Sequence, residues 1–163
     1  MNIIYFKSLV IGLVTLISST TLAFDQTLAS AKLELMVMKT PTCGCCKKWV
    51  DHIEQEGIIA HSRDYPDLGP IKSKFGIKPN YRSCHTAITR NGLVFEGHVP
   101  AKFINQFLSE KHDNAIGLSV PAMPVGSPGM EVGNKFMPYK VLMLLNDGTS
   151  KVYAKVNTYE EQF

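Results

Sequence analysis

The chain predicts an α/β domain in which helices pack on a mixed β-sheet. Two observations carry this prediction. Apolar periodicity alternates between the strand period and the helix period along the chain. The dipeptide Asn91-Gly92, a two-residue hairpin signal, then adds an antiparallel pair where parallel strands would need helical crossovers. The folded part is about 140 residues, the usual size of one domain and enough to bury a core without staples.

The first residues form a different kind of segment. Lys7 is the only charge before Asp25, an apolar run fills residues 8–17, and small residues lead to Leu22-Ala23. That is the layout of a secretory signal peptide over residues 1–23, with cleavage after Ala23. The apolar run is shorter than the ~20 residues of a membrane span, so no stable membrane insertion is expected after cleavage. Export implies a periplasmic location. The formal charge of +3 falls to +2 when Lys7 is removed, and the remaining lysines form no basic stripe interleaved with aromatics. Nucleic acid is therefore not an expected partner.

The elements follow in order. Residues 32–39 (KLELMVMK) read as a strand, broken by Thr40-Pro41-Thr42. A helix starts near Cys43, with Cys46, Trp49, Val50 and Ile53 on one apolar face and Gly57 as its stop. Residues 58–63 read as a second strand and 67–75 as a short helix closed by Gly76. Residues 84–90 and 93–96 flank the hairpin turn. Pro100 opens a third helix whose stripe is Phe103, Ile104, Phe107 and Leu108. This order suits a thioredoxin-like layer, placed at residues 32–163. Residues 117–138 hold no helix or strand period and are rich in Gly, Pro and Met. So long an irregular segment within a domain is usually functional or disordered. An ordered cover over the site is expected here. Residues 139–145 and 151–156, joined at Asp147-Gly148, read as a C-terminal β-hairpin.

Three of the four cysteines, Cys43, Cys45 and Cys46, lie within four residues, so they gather sulfur at one point instead of spreading to close loops. Cys43 and Cys46 share one face at a helix start, where backbone N–H groups favour thiolate. A C-x-x-C there is also a redox motif, and a thiol–disulfide oxidoreductase using Cys43 and Cys46 is the alternative reading. Cys45 departs from that motif, since a third adjacent thiol invites wrong pairings. A soft metal gains from it, and copper(I) prefers thiolate and thioether ligands. The topology brings Cys84, at the start of the third strand, toward the other three. Four thiolates carry a charge of about −4, which several copper(I) ions would neutralise. A single zinc ion also takes four cysteines, but adjacent Cys45 and Cys46 would strain a tetrahedron.

The remaining candidates are weaker. His85 follows Cys84 and in a strand should face the other way, which suits packing more than ligation. His98 lies in a loop before a helix, where ligand and surface roles are equally open. Met36 and Met38 read as core, and His52 and His112 as surface. Met123, Met130 and Met137 lie in the irregular segment, with Met123 or Met130 placed to approach the cluster.

Four segments in series carry a resemblance: PTCGCC at 41–46, SCHTA at 83–87, GHVPA at 97–101 and VPAMPVGSPGME at 120–131. In these the chain resembles the exported metal-binding family called domain of unknown function 411 (DUF411), which includes CopG-like periplasmic copper-resistance proteins. The resemblance covers most of the mature chain. It implies a thioredoxin-like fold, export, and copper held by Cys43, Cys45, Cys46 and Cys84. The expected role is copper tolerance by sequestration, transfer or redox conversion, with other periplasmic copper-handling proteins as partners.

Overall fold

The computed structural model describes residues 32–163; the expected signal peptide, residues 1–23, lies outside them. Ten main elements follow one another: β1 (Glu34–Lys39), α1 (Gly44–Gln55), β2 (Ile59–Asp64), α2 (Gly69–Lys74), β3 (Thr86–Thr89), β4 (Val94–Gly97), α3 (Ala101–Ser109), β5 (Ala115–Val120), β6 (Tyr139–Leu145) and β7 (Ser150–Val156). Seven strands make one sheet in the order β2-β1-β3-β4-β5-β6-β7. The pairs β1/β2 and β4/β5 are parallel, and the other neighbours are antiparallel. Among the described residues, no helix is long and apolar enough to cross a membrane.

The helix α1 shows how the pattern becomes packing. Cys46, Trp49 and Ile53 are its buried residues and repeat at i, i+3 and i+7. Trp49 and Ile53 join Leu35 and Val37 of β1, Phe95 of β4, Phe103, Ile104 and Phe107 of α3, and Leu118 and Val120 of β5 in the main core. Trp49 also donates from Nε1 to the Val99 carbonyl at 2.9 Å, which satisfies its one polar atom and ties α1 to the loop before α3. Glu56 caps the helix, and Gly57 at φ 83° lets the chain leave it.

The sequence reading is corrected at β5. It treats residues 117–138 as wholly irregular, yet β5 runs through Val120. Gly117, Leu118, Ser119 and Val120 are buried together, so the strand has no wet face and no alternation to reveal it. Ser119 hides it further, since a buried hydroxyl needs a partner; its Oγ donates to the Tyr81 carbonyl at 2.6 Å. Residues 121–138 that follow contain only one isolated antiparallel bridge, Val132 to Lys135.

Candidate metal centre

The end of the sheet where β1 finishes and β3 begins gathers the cysteines. After β1 the chain turns, the Cys43 N–H donating to the Thr40 carbonyl at 3.2 Å. Cys43 then caps α1 in extended conformation, and its Sγ accepts from the Cys46 N–H at 3.3 Å. Cys43 and Cys46 are joined in a disulfide, with Cα atoms 5.3 Å apart. Cys45 and Cys84 are free and half-buried. Cys45 Sγ lies 3.5 Å from Cys43 Sγ and 3.9 Å from Cys84 Sγ. All four Sγ atoms fall within 4.8 Å of one another.

Cys84 is not in the third strand, as the sequence reading has it, but in the loop that precedes it. The alternation argument for His85 therefore does not apply. His85 is fully buried, and its Nδ1 lies 3.3 Å from Cys84 Sγ. His98 is also fully buried and directly follows β4, with Nε2 3.0 Å from the same sulfur. The His98 Nδ1 sits 2.7 Å from the Pro128 carbonyl, which can only accept. So Nδ1 carries the proton, and Nε2 turns its lone pair to Cys84. Burial lowers the pKa of His98, and lowers that of His85 well below the ordinary value, with His98 and Lys72 adding to the effect on His85. Burial thus favours the neutral form of both rings. Burial, and then the neighbouring Cys45, pushes the Cys84 thiol up to about 12. Without a metal, Cys84 is thus an S–H that donates to His98, and a bound ion must displace that proton.

Beneath this loop lies a buried ion pair that the sequence does not announce. Lys72 Nζ donates to Glu96 Oε1 at 2.5 Å and to Thr86 Oγ1 at 3.0 Å. The same Oε1 accepts the Ser83 N–H at 2.6 Å, and Oε2 accepts from Thr86 Oγ1 at 2.6 Å. Burial raises the Glu96 pKa, against the opposing pull of Lys72 and its hydrogen bonds. The network fixes the backbone immediately before Cys84. Glu96 lies in β4, and no local sequence signal marks it as buried.

Residues 121–138 close the site with backbone atoms. Ser83 Oγ donates to the Ala122 carbonyl, and Ala122 N–H donates to the Arg82 carbonyl at 3.2 Å. Gly129, at φ 84°, is seated on α1: a Cβ there would lie 2.7 Å from both the Cys45 carbonyl oxygen and the Trp49 nitrogen. Gly97, at φ 72°, is pressed as closely, its Cβ position 2.5 Å from the Ser83 side chain. The methionines follow the expectation only in part. Met123 is 48% and Met137 55% exposed, and Met36 of β1, expected in the core, is 42% exposed; Met38 is buried. Two histidines expected at the surface are engaged. His52 Nε2 accepts the Ala101 N–H at 3.1 Å at the start of α3, and His112 stacks on Phe107 with ring centroids 4.2 Å apart.

A mixed α/β domain with four sulfurs gathered at one helix start is a cysteine-cluster protein. A family described as protein of unknown function, DUF411, matches residues 81–130. Two solved structures, described as copper resistance protein CopG form 1 and form 2, are similar to this chain. Form 1 is 36% identical, covers 78% of this chain and 99% of its own, and superposes with a TM-score of 0.72. Form 2 is 37% identical over 77% of this chain and 98% of its own, also at 0.72. No curated protein matches the chain. The chain belongs to the DUF411 family, with CopG among its relatives.

Proposed function

We propose that this chain is an exported, periplasmic copper-binding protein that holds copper(I) on Cys43, Cys45, Cys46 and Cys84 and acts in copper tolerance. The observation that carries the reading is the convergence of four Sγ atoms within 4.8 Å. Thiolates at that separation share ions through bridges, since metal–thiolate bonds are ~2.3 Å long. The donor set suits copper(I), a soft ion. Two further observations support it: relatives described as copper resistance proteins, and the signal-peptide pattern of residues 1–23. The strand order β2-β1-β3-β4, with the cysteine helix after β1, supports the thioredoxin-like reading of the core.

Opening the Cys43–Cys46 bond to two thiolates takes two electrons from an external thiol reductant and no protons. Opening the bond is therefore the condition for the full site. At the start of α1, the helix N–H groups stabilise the thiolates so released. Cys84 has no such help; its proton leaves only as the ion arrives. The closed bond also favours the second reading, a thiol–disulfide oxidoreductase using Cys43 and Cys46. One experiment separates them. Reduced protein is titrated anaerobically with copper(I) against a competing chelator, alongside the Cys45→Ser and Cys84→Ser variants. Retention of copper that falls at least tenfold in both variants is expected. Failure to retain copper, together with rapid reduction of a small disulfide that Cys84→Ser leaves intact, would establish the oxidoreductase instead.

A further inference from the structure

Cys84 belongs to two groups of ligand atoms. One is the four-sulfur group. The other is Cys84 Sγ, His85 Nδ1 and His98 Nε2, which also lie within 4.8 Å of one another. We propose that this second group is a metal site in its own right, for a divalent first-row ion of borderline softness, and that it is the available site when Cys43–Cys46 is closed. The proposal goes beyond the copper(I) reading and shares only Cys84 with it.

The geometry fits. An ion held tetrahedrally by one thiolate at ~2.3 Å and imidazoles at ~2.0–2.1 Å sets sulfur and nitrogen about 3.5 Å apart. The separations here are 3.0 Å to His98 and 3.3 Å to His85, each within about half an ångström of that spacing, and all three ligand atoms lie within 4.8 Å of one another. Imidazole and thiolate together suit zinc, cobalt and copper(II) rather than a purely soft ion. His98 is already oriented as a ligand. Its Nδ1–H is fixed on the Pro128 carbonyl at 2.7 Å, which points the Nε2 lone pair at Cys84. His85 is gripped between the Trp49 ring, 4.3 Å away, and the edge of His98, 5.1 Å away. Among the described residues its Nε2 finds no hydrogen-bond partner. An unpartnered buried imidazole costs stability. That cost falls on Nε2 and is the same with or without an ion at Nδ1, so what favours ligation is Nδ1, which already faces Cys84 Sγ at 3.3 Å.

The disulfide decides which group is complete. Closing Cys43–Cys46 withdraws two of the four sulfurs and leaves Cys45 at 3.9 Å as the one free thiol beside Cys84. The imidazoles are untouched. The ion enters at the half-exposed Cys84 and displaces one proton from it: M²⁺ plus thiol gives metal thiolate plus H⁺. No electron moves. Three protein ligands leave a fourth position for water, the arrangement of open rather than structural sites.

Cobalt(II) alone is the probe, added to the mature chain with Cys43–Cys46 closed. One equivalent should give a thiolate-to-cobalt charge-transfer band and tetrahedral visible bands, with one proton released. X-ray absorption of this wild-type complex should count two imidazole nitrogens. His85→Gln and His98→Gln should each weaken cobalt at least tenfold while retaining the closed disulfide and the near-ultraviolet signature of Trp49. Absence of the thiolate band in the wild type, or a nitrogen count without imidazole, overturns the proposal even if the variants fail to fold. Bands that persist in both folded variants also overturn it. Copper(I) titration of reduced wild type runs beside these arms, so that a failed four-sulfur site and a failed histidine site give different results.

Discussion

The segment from β1 to β4 and residues 121–138 meet at the same sulfur atoms but contribute in opposite ways. The first supplies side chains: the four cysteines, His85, and the Lys72–Glu96 pair beneath them. The second supplies main chain: the Ala122 carbonyl to Ser83, the Pro128 carbonyl to His98, and Gly129 pressed on α1. Side chains that ligate are chemically specific and visible as residue types. A cover made of peptide groups needs only a particular path, which Pro and Gly secure by restricting or freeing φ. The cover orients the candidate ligands although its own methionines Met123 and Met137 turn outward.

The contrast predicts four effects of decreasing size. Glu96→Leu strands the Lys72 cation in a buried site and should cost about 3–5 kcal/mol in urea unfolding. The double variant with Lys72→Met should recover most of it; a single variant within about 1 kcal/mol of wild type would show the network to be incidental. Gly129→Val adds a clash with α1 and a strained φ, together about 2–4 kcal/mol. It should also speed copper(I) loss, and a variant with normal stability and retention would remove the main-chain cover from the account.

A smaller effect lies at His52. Burial lowers its pKa, opposed by Glu56 and Glu131, and its Nε2 accepts the Ala101 N–H only while neutral. The unfolded chain takes up the proton first as pH falls. The contribution is therefore present above the unfolded pKa of ~6.5 and lost below it. Relative to His52→Gln, wild type should lose about 1 kcal/mol, the worth of a helix cap, between pH 7.5 and pH 5. A difference independent of pH would mean the ring acts by packing alone. Smallest of all, Met123→Ser and Met137→Ser should change stability by less than about 0.5 kcal/mol and leave copper retention unaltered. Copper lost from either variant would give the cover a side-chain role after all.

What the sequence made legible follows the same division. The α1 stripe of Cys46, Trp49 and Ile53 is readable because one helix face is wet and the other is not. The clustering of Cys43, Cys45 and Cys46 is readable because cysteine has few other reasons to cluster. Buried on most of its length, β5 loses the contrast that a periodic reading needs. Strand alternation misplaces His85, because Cys84 and His85 precede β3. Pro128 and Gly129 act through a carbonyl and a missing Cβ, which no residue-type argument reveals.

Gln162 has a consequence in time. Its amide oxygen accepts from Tyr139 Oη at 2.7 Å, and its amide nitrogen donates to the Gly126 carbonyl at 3.0 Å. A residue near the end of the numbering thus latches the segment that carries Pro128 and Gly129. All four thiols are made by residue 84, whereas their cover cannot be latched until residue 162 has docked. Between the two events the cysteines are open to oxidants and to each other, and Cys45 stands near enough to both Cys43 and Cys84 to capture either. The order of emergence therefore sets an interval of exposure. Its length depends on how fast a contact spanning 36 residues can close. Gln162→Ala should lengthen the interval. Refolded under mild oxidant, it should yield more Cys45–Cys84 and Cys43–Cys45 pairing by peptide mapping than wild type, at the expense of Cys43–Cys46.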